Sequence, residues 1–253
     1  MSSFDQESIE GVLPGWHVMY HASLDSTNAE AKRRVERGLS CAGDLIIANE
    51  QHTGVGRKGA WISPADKNIY ATFIVQPEMD AAFIGCIGIT AGLALCDVLS
   101  SHGLKPQLKW PNDVYLEGKK CAGILVEFIS GYALIGIGIN MYQQAWSAEI
   151  AEVATCVASH VGGVTRSQVL GAVVRNTMGH LSRLGTSGYC VQEAFGHYDC
   201  LAGEIIELVE PSKDGVKLTG VANGVNDRGL LRLIHQDGAE VLVANAHHVR
   251  IVG

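Results

Sequence analysis

The chain has 253 residues, of which 47% are hydrophobic and 18% charged, an ordinary composition for a globular protein with a sizeable buried core. Its formal net charge of -7 argues against a general nucleic-acid or acidic-membrane surface, although a local basic pocket is compatible with it. The seven cysteines form no C-x-x-C motif and the N-terminus has no apolar secretory signal, so we expect reduced thiols, no disulfide frame or zinc site, and a cytoplasmic location.

The first predicted elements are a strand, a helix and a second strand, at residues 16–20, 29–37 and 44–48. Ser26, Thr27 and Asn28 stand just before the helix, which Gly38 ends. Side chains of this type cap the free backbone amides at the start of a helix. Capping alone would explain the three residues, and contact with a ligand would explain them as well.

The second strand leads into an unusual loop at residues 49–61. Its glycines and adjacent basic residues are Gly54, Gly56, Gly59, Arg57 and Lys58. Such a loop can enclose a phosphate with its amides and cations. It is not a Walker A loop, which requires G-x-x-x-x-G-K-[ST], and it does not open a helix as a dinucleotide fingerprint does. By itself this loop is a weak indication of phosphate binding.

The middle of the chain predicts a strand at 69–75, a helix at 80–102, and paired strands at 121–128 and 132–139. The apolar run at 81–99 is interrupted by glycines, Thr90 and Asp97. These interruptions favour a core helix over a membrane span.

Between the helix and the paired strands lies Lys109-Trp110-Pro111-Asn112-Asp113, followed by a turn at Glu117-Gly118 and by Lys120. Proline extends the residue before it, and the Asn-Asp pair forms turns, so the stretch predicts a tight hairpin. The hairpin places two lysines, an amide and a carboxylate together. A bound anion would explain this cluster, and so would a solvated surface hairpin.

The strand at 132–139 ends with Gly136-Ile137-Gly138-Ile139-Asn140. Glycines inside a buried strand indicate either that another group approaches the backbone closely or that the sheet packs tightly. Residues 143–160 predict a loop with helical turns. Residues 165–184 predict an amphipathic helix, whose apolar side holds Val169, Leu170, Val173, Val174, Met178 and Leu181.

The character of the chain changes after residue 198. Short strands are predicted at 204–209, 217–225, 229–235 and 240–243. Asp-Gly and related turns separate them, which is typical of a small β-barrel. We therefore expect two domains, at residues 1–200 and 201–253.

Five stretches, taken together, resemble the biotin–protein ligase family in its form without an N-terminal DNA-binding domain. They are Ser26-Thr27-Asn28, the loop at 51–61, the stretch at 109–113, Lys120 to Glu127, and the stretch at 136–140. The resemblance implies an α+β (α/β) catalytic domain of the class II synthetase-like type, shared by biotin and lipoate ligases. A mixed, mainly antiparallel sheet would be backed by helices, and an SH3-like β-barrel would follow at the C-terminus.

The resemblance also implies a reaction with biotin and ATP as substrates and Mg²⁺ as cofactor. Biotin would be activated to biotinyl-5′-AMP and then transferred to a lysine of a biotin carboxyl carrier domain of a carboxylase. Cations are required where two anions meet, and the implied catalytic residues are Lys120 and Arg57. Magnesium would be held mainly by the phosphates of ATP, near Asp113, and not by an all-protein cage.

The implied binding residues fall into two sets. Those for biotin are Ser26, Thr27, Asn28, Gln51, Gly54, Val55, Gly56, Arg57, Lys120, Gly123 and Leu125. Those for ATP are Arg57, Lys58, Trp61, Lys109, Asn112, Lys120 and Asn140. In this scheme Trp61 stacks near the adenine, and Lys109 has a supporting role.

The basic loop departs from the family's G-R-G-R-x-x-R-x-W pattern. Val55 stands in place of the first arginine, and Gly59-Ala60-Trp61 lacks one residue and one further basic side chain. Lys58 is a point charge without the planar fork of arginine, so it compensates only partly. We therefore expect weaker loop closure and a higher ATP requirement than in relatives with the full arginine set.

Three other functions are alternatives to a biotin–protein ligase. Only 25 residues precede Ser26, too few for a helix-turn-helix domain, so we expect no DNA partner. We also expect no membrane partner, and a homodimer is compatible with the sequence. Lipoate or octanoate ligases share the fold and the type of chemistry, and a catalytically weak biotin-binding homologue is the third alternative. The stretches at 109–113 and 136–140 favour the biotin branch.

Overall fold

The computed structural model describes residues 4, 6–56, 59–61, 63–142, 146–209, 217–246 and 248–252. Within them the helices are α1 (Gln6–Val12), α2 (Thr27–Glu36), α3 (Ile87–Ser101), α4 (Ala148–Val153), α5 (Arg166–Leu181) and α6 (Val191–Gly196). The strands are β1 (His17–His21), β2 (Asp44–Ala48), β3 (Val55–Gly56), β4 (Gly59–Ala60), β5 (Ile69–Val75), β6 (Pro106–Lys109), β7 (Asp113–Leu116), β8 (Lys119–Ile129), β9 (Tyr132–Ile139), β10 (Ile205–Val209), β11 (Lys217–Val225), β12 (Leu231–Ile234), β13 (Glu240–Val243) and β14 (His248–Ile251). Short 3₁₀ helices cover Ala81–Cys86 and Val157–Ser159.

Seven strands form the larger sheet, in the order β1-β2-β5-β9-β8-β7-β6. β1 runs parallel to β2, and every other neighbouring pair in this sheet is antiparallel. The predicted α+β fold with a mixed, mainly antiparallel sheet is confirmed. β2 and β5 are buried along their whole length, which explains why their sequences are almost continuously apolar.

Helices cover both faces of this sheet. On one face, α2 packs Ala31 and Val35 against Ile46 and other inward side chains of the sheet. The strand neighbours of Ile46, Leu45 and Ile47, point the other way and join the core that includes α3 and α5. Successive side chains of a strand alternate between its two faces, so the strands contribute to two separate cores.

The helix predicted at 80–102 is present as a 3₁₀ turn followed by α3. The stretch Ala81–Ser101 is long and apolar enough to cross a membrane by length and composition alone, and 67% of its most apolar window is buried inside the protein. α3 packs against α5 and against strands β6, β7 and β8. Its apolar surface is therefore covered by protein, as predicted for a core helix.

The prediction for α5 is right in all but one residue of its apolar side. The buried members are Val169, Leu170, Val173, Val174 and Leu181. Met178 was wrongly assigned to this side, since it is 37% exposed. It follows Thr177, which is buried and donates its hydroxyl to the carbonyl of Val173 at 2.8 Å. A polar residue thus occupies the inward position that the apolar pattern gave to methionine.

A second, five-stranded antiparallel sheet has the order β13-β12-β11-β10-β14. It is built from the short strands predicted at the C-terminus, with β14 in addition. The division into 1–200 and 201–253 stays a prediction, and so does the SH3-like description of this sheet.

The second sheet packs directly against the first part of the chain. The indole N–H of Trp110 donates to the carbonyl of Gly229 at 3.1 Å. The segment before β10 extends the larger sheet, because Leu108 N–H donates to Tyr198 O at 2.7 Å and Cys200 N–H donates to Leu108 O at 3.3 Å. The two sheets thus share one hydrophobic core.

The sequence does not predict five elements: α1, α6, β14 and the short paired strands β3 and β4. They are all short, and their stability comes from packing or pairing and not from a long periodic pattern. Ile9 of α1 and Phe195 of α6 are fully buried. β14 is held by antiparallel pairing with β10.

We expect Gly220→Ala to destabilise the second sheet. A Cβ atom at this position would lie 2.5 Å from the backbone carbonyl oxygen of Ile234, so two strands would have to shift. Overpacking of this kind costs about 1–3 kcal/mol of the free energy of unfolding. Urea unfolding measures the loss, and Gly162→Ala, where a Cβ atom would meet nothing within 4 Å, is the control. Equal stability of the two variants would contradict the expectation.

Candidate ligand-binding site

A cavity of about 160 Å³ opens over the face formed by β8 and β9. Its walls come from the start of α2, the loop after β2, the hairpin before β7 and the second sheet. The described lining residues are Ser26, Thr27, Asn28, Gln51, Val55, Gly56, Gly59, Ala60, Trp61, Lys109, Trp110, Pro111, Asn112, Asp113, Lys120, Gly123, Ile124, Leu125, Gly136, Ile137, Gly138, Ala246 and Val249. The stretches quoted for the family resemblance thus meet in one place.

An ion pair fixes the start of α2. The guanidinium of Arg33 donates to both carboxylate oxygens of Asp25, at 2.7 and 2.8 Å. These hydrogen bonds lower the pKa of the Asp25 carboxyl to about 2. One of the same oxygens accepts the backbone N–H of Ser26 at 2.8 Å. Ser26 makes no side-chain capping hydrogen bond to α2, so capping does not explain its hydroxyl.

Gln51 is tied to the same helix start. Its side-chain oxygen accepts the backbone N–H of Thr27 at 2.9 Å, and its side-chain nitrogen donates to Ser63 Oγ at 3.0 Å. The hydroxyl of Ser63 in turn donates to the carbonyl of Trp61 at 3.0 Å. The loop after β2 and the start of α2 therefore form one hydrogen-bonded polar end of the cavity.

Asn28 lies against the bare backbone of β9. A Cβ atom at Gly136 would lie 2.0 Å from Asn28 Oδ1, so only glycine leaves room for this side chain. The Asn28 amide donates to Glu127 Oε2 at 2.7 Å, and its oxygen accepts the Thr72 hydroxyl at 2.5 Å. Asn28 thus holds together α2, β5, β8 and β9.

The Trp61 ring packs against the backbone of Gly138, the next glycine along β9. A Cβ atom at Gly138 would lie 2.7 Å from Trp61 Cε2, and one at Gly123 would lie 3.2 Å from Trp61 Cζ3. Of the described polar side-chain atoms, Trp61 Nε1 is one of the few that are buried without a hydrogen-bond partner. The glycines of β8 and β9 therefore serve a close approach, the first of the two explanations given for them.

The cationic end of the cavity is formed by Lys120 and the hairpin. Lys120 Nζ lies 2.6 Å from Asp113 Oδ1 and 5.2 Å from the centre of the Trp61 ring. Its side chain is 29% exposed, so the ammonium is partly shielded from water. Lys109 Nζ lies over the ring of Tyr115 at 5.6 Å, and the Asn112 amide donates to the carbonyl of Ile124.

Most of the predicted site residues line the cavity: Ser26, Thr27, Asn28, Gln51, Val55, Gly56, Trp61, Lys109, Asn112, Lys120, Gly123 and Leu125. Gly54 and Asn140 are described but do not line it. Asn140 is buried and its amide donates to Thr155 O at 3.1 Å, which gives it a structural contact. Arg57 and Lys58 lie outside the described residues.

Several lining residues were not predicted as ligand contacts. The sequence predicts Trp110 and Pro111 only as the extended residues before a turn, although they lie within the hairpin motif. Ala246 and Val249 carry no local signal, since they enter the cavity only because the second sheet docks on the first.

The arrangement matches an elongated ligand with a hydrogen-bonding head and an anionic tail. Hydroxyl and amide groups form one end, and the Lys120 ammonium lies at the other. Between them lie the glycines of β8 and β9, on which the Trp61 ring packs, and apolar side chains of the same strands. Asp113 is the carboxylate among the described lining residues, and the described chain has no group of three or more His, Cys, Asp or Glu that could hold a metal ion.

Comparison with known proteins gives a consistent result. A family model described as "Biotin/lipoate A/B protein ligase family" matches residues 20–143. The chain is 28% identical over 241 residues to the bifunctional ligase/repressor BirA of Escherichia coli (strain K12), covering 92% of this chain and 73% of that protein. It is 25% identical over 251 residues to the biotin–[acetyl-CoA-carboxylase] ligase of Mycobacterium tuberculosis, covering 96% of this chain and 92% of that protein.

A solved structure is similar over nearly the whole chain. It is the biotin protein ligase from Aquifex aeolicus in complex with biotin and ATP, with a TM-score of 0.75 and 26% sequence identity. The match covers 93% of this chain and 99% of that one.

We expect Trp110→Phe to destabilise the protein more than Trp61→Phe. The first change leaves the carbonyl of Gly229 without its indole donor in a fully buried place, a loss of about 1–3 kcal/mol in the free energy of unfolding. The second removes an N–H group that has no partner in the described structure, so we expect a loss below about 1 kcal/mol. Urea unfolding of both variants is the measurement. A larger loss for Trp61→Phe would contradict the geometry.

Proposed function

Because this chain belongs to the biotin/lipoate A/B protein ligase family, we propose that it is an ATP-dependent biotin–protein ligase. It activates biotin as biotinyl-5′-AMP and then transfers the biotinyl group to a lysine of a biotin carboxyl carrier domain.

The observation that carries this proposal is the order of chemical groups along the cavity. Ser26, Thr27 and Gln51 present hydroxyl and amide groups at one end. Lys120 presents an ammonium at the other end, beside the glycines of β8 and β9. Biotin has the same order, since a ureido ring with one carbonyl and two N–H groups is followed by an apolar chain and a carboxylate. A buried urea needs matched hydrogen-bond partners, because each unpaired polar group would cost about 1–3 kcal/mol.

In the first step a carboxylate oxygen of biotin bonds to the α-phosphorus of ATP. The bond from that phosphorus to the bridging oxygen breaks, and pyrophosphate leaves with the electron pair. Lys120 would neutralise the biotin carboxylate as it meets ATP and then the charge that develops on the α-phosphoryl oxygens. Asp113, 2.6 Å from its ammonium, holds the lysine in place, so Asp113 has a positioning role.

In the second step the amine of the acceptor lysine bonds to the acyl carbon. The bond from that carbon to the phosphate oxygen breaks, AMP leaves with the electron pair, and the proton that the amine loses passes to solvent. An acyl adenylate hydrolyses when water reaches it, so a covered cavity favours transfer over loss. Trp61, which lies on Gly138 and Gly123 beside Lys120, is placed to cover the reacting end. The assignments of Arg57, Lys58, Lys109, Asn112 and Asn140 to the nucleotide rest on the resemblance alone.

Magnesium is part of the proposal as an ion that arrives on the phosphates of ATP, where it would neutralise their charge. The only carboxylate among the described lining residues is Asp113, which fits a cation held mainly by its substrate and by water. We also propose a cytoplasmic location and an SH3-like fold for the C-terminal sheet. The proposal includes no DNA partner, and it is compatible with a homodimer.

Biotin-dependent exchange of labelled pyrophosphate into ATP tests the proposed function. We expect exchange with biotin and not with lipoate or octanoate. Exchange with lipoate would favour the acyl-transfer alternative, and tight biotin binding without exchange would favour a binding homologue.

In the same assay we expect Lys120→Ala to reduce the exchange rate by about 100-fold or more, because it removes the cation at the reacting carboxylate. Lys119→Ala is the matched control, since the neighbouring lysine is exposed and its ammonium donates to Ala151 O at 2.7 Å. If both variants exchanged pyrophosphate like the wild type, the catalytic assignment of Lys120 would be wrong.

Val55→Arg tests the effect of the altered loop. Val55 lines the cavity and is 58% exposed, so a longer side chain has room there. An added guanidinium near the adenylate should slow its dissociation by about 10-fold or more, since a hydrogen bond to a charged group contributes about 1.5 kcal/mol or more. Stopped-flow release of biotinyl-5′-AMP measures the rate, with Val55→Gln as the uncharged control. An unchanged dissociation rate of the adenylate from Val55→Arg would show that added positive charge at this position does not retain it.

A further inference from the structure

Arg166 is a fully buried cation that does not line the cavity. It is the first residue of α5, where a positive charge meets the positive end of the helix dipole. Its guanidinium lies 4.4 Å from the centre of the Phe4 ring and 3.9 Å from a carboxylate oxygen of the exposed Asp66. So long an ion pair offsets little of the cost of burying a charge. Stability of the fold alone is therefore a poor explanation for this arginine.

The guanidinium of Arg166 joins the two ends of the connection between β2 and β5. Its Nη1 donates to Asn49 Oδ1 at 3.0 Å and to the backbone carbonyl of Asn68 at 3.3 Å. Asn49 is the first residue after β2, and Asn68 is the last residue before β5. The connection between them carries Gln51 and Trp61 to the cavity, so one cation holds both ends of it.

Asn68 extends this anchor to the arm that returns from the cavity. Its amide nitrogen donates to Tyr70 Oη at 2.9 Å, and the Tyr70 hydroxyl donates to the carbonyl of Pro64 at 3.1 Å. Pro64 stands three residues after Trp61. The amide oxygen of Asn68 accepts the backbone N–H of Met141 at 3.1 Å, so the segment that follows β9 is tied to the same anchor.

The arm that leaves β2 is fixed in the same way. The backbone N–H of Asn49 donates to His21 O at 2.9 Å, which joins the end of β1 to the base of the connection. Two residues later, the backbone N–H of Gln51 donates to Ser63 O at 3.3 Å and links the two arms. A shift at the base would thus be carried along both arms to Trp61.

We infer that Arg166 is a positioning residue, which holds the base of the connection between β2 and β5 so that Trp61 stays over the biotinyl adenylate. The inference rests on the proposed function and deepens it, since it concerns retention of the intermediate and not its formation. The Lys120–Asp113 pair, which would assist formation, lies on β7 and β8, outside this connection. Loss of the anchor should therefore speed escape of the adenylate and leave the rate of its formation nearly unchanged.

Arg166→Met tests the inference, because methionine is an unbranched apolar side chain without the charged donors. We expect the adenylate to dissociate about 10-fold faster or more, measured by stopped flow, since hydrogen bonds from a charged group are lost. The fraction of adenylate that is hydrolysed instead of transferred should rise with it. The maximal rate of biotin-dependent pyrophosphate exchange should stay within about 3-fold of wild type.

Asn49→Ala removes the acceptor of the same hydrogen bond. It should also speed dissociation of the adenylate. The double variant Arg166→Met/Asn49→Ala should show less than the product of the two single effects, because both changes break one shared contact. Arg166→Lys keeps a charged donor without the planar fork of arginine, so its dissociation rate should lie between those of the wild type and Arg166→Met.

Two other variants of α5 separate this role from general effects on the helix. Thr177→Val removes a buried hydroxyl that donates to Val173 O within α5, and it controls for lost stability. Arg175→Met removes an exposed cation from the same helix, and it controls for lost charge. Both variants should release the adenylate at the wild-type rate.

Three results would overturn the inference. The first is release of the adenylate from Arg166→Met within about 3-fold of the wild-type rate. The second is a double variant in which the effects of Arg166→Met and Asn49→Ala multiply in full. The third is release from Thr177→Val as fast as from Arg166→Met, which would make the effect one of stability.

Should Arg166→Met fail to fold, Tyr70→Phe decides, because it removes only the hydroxyl that joins Asn68 to Pro64. It should speed release of the adenylate by about 3-fold or more, and release at the wild-type rate would overturn the inference. Failure of the proposed function would instead appear as absent biotin-dependent exchange in the wild type.

Discussion

The site depends on a strip of bare backbone along β8 and β9. Glycines at 123, 136 and 138 remove the side chains that would otherwise cover this face of the sheet. Asn28 and Trp61 reach the strip because nothing larger than hydrogen stands there, and a Cβ atom at Gly136 would overlap the Asn28 oxygen. Glycine weakens a strand relative to other residues, so this conformational cost is borne where close approach is required.

Charge is concentrated in the same place. The chain is acidic, yet Lys109 and Lys120 both line the cavity, and Asp113 is the carboxylate that pairs with Lys120 there. The Lys120–Asp113 pair is partly buried, with side chains 29% and 15% exposed. A half-buried cation needs a partner, because desolvation penalises an isolated charge. An incoming carboxylate therefore meets a lysine that is already oriented, and it adds to an existing ion pair.

The sequence allowed the larger part of the fold to be predicted, since β2, β5 and β9 are continuous apolar runs and α5 has a clear helical period. Less of the site could be predicted from the sequence. The five motif stretches were identified, but Thr72 sits inside an apolar strand where a threonine carries no signal of its own. Ala246 and Val249 reach the cavity only through docking of the second sheet. Contacts of this kind arise from packing between distant segments, which local patterns do not encode.

The pairing of Leu108 with Tyr198 and Cys200 has a mechanical consequence. A connection between two sheets usually acts as a slack tether, and its length sets how far they can separate. Here the tether is itself hydrogen-bonded into the edge of the larger sheet, one residue from Lys109. A displacement of the C-terminal sheet would be transmitted as shear along this backbone ladder. A force on the C-terminal sheet would therefore move the hairpin that carries Lys109, because no flexible linker lies between them to absorb the motion.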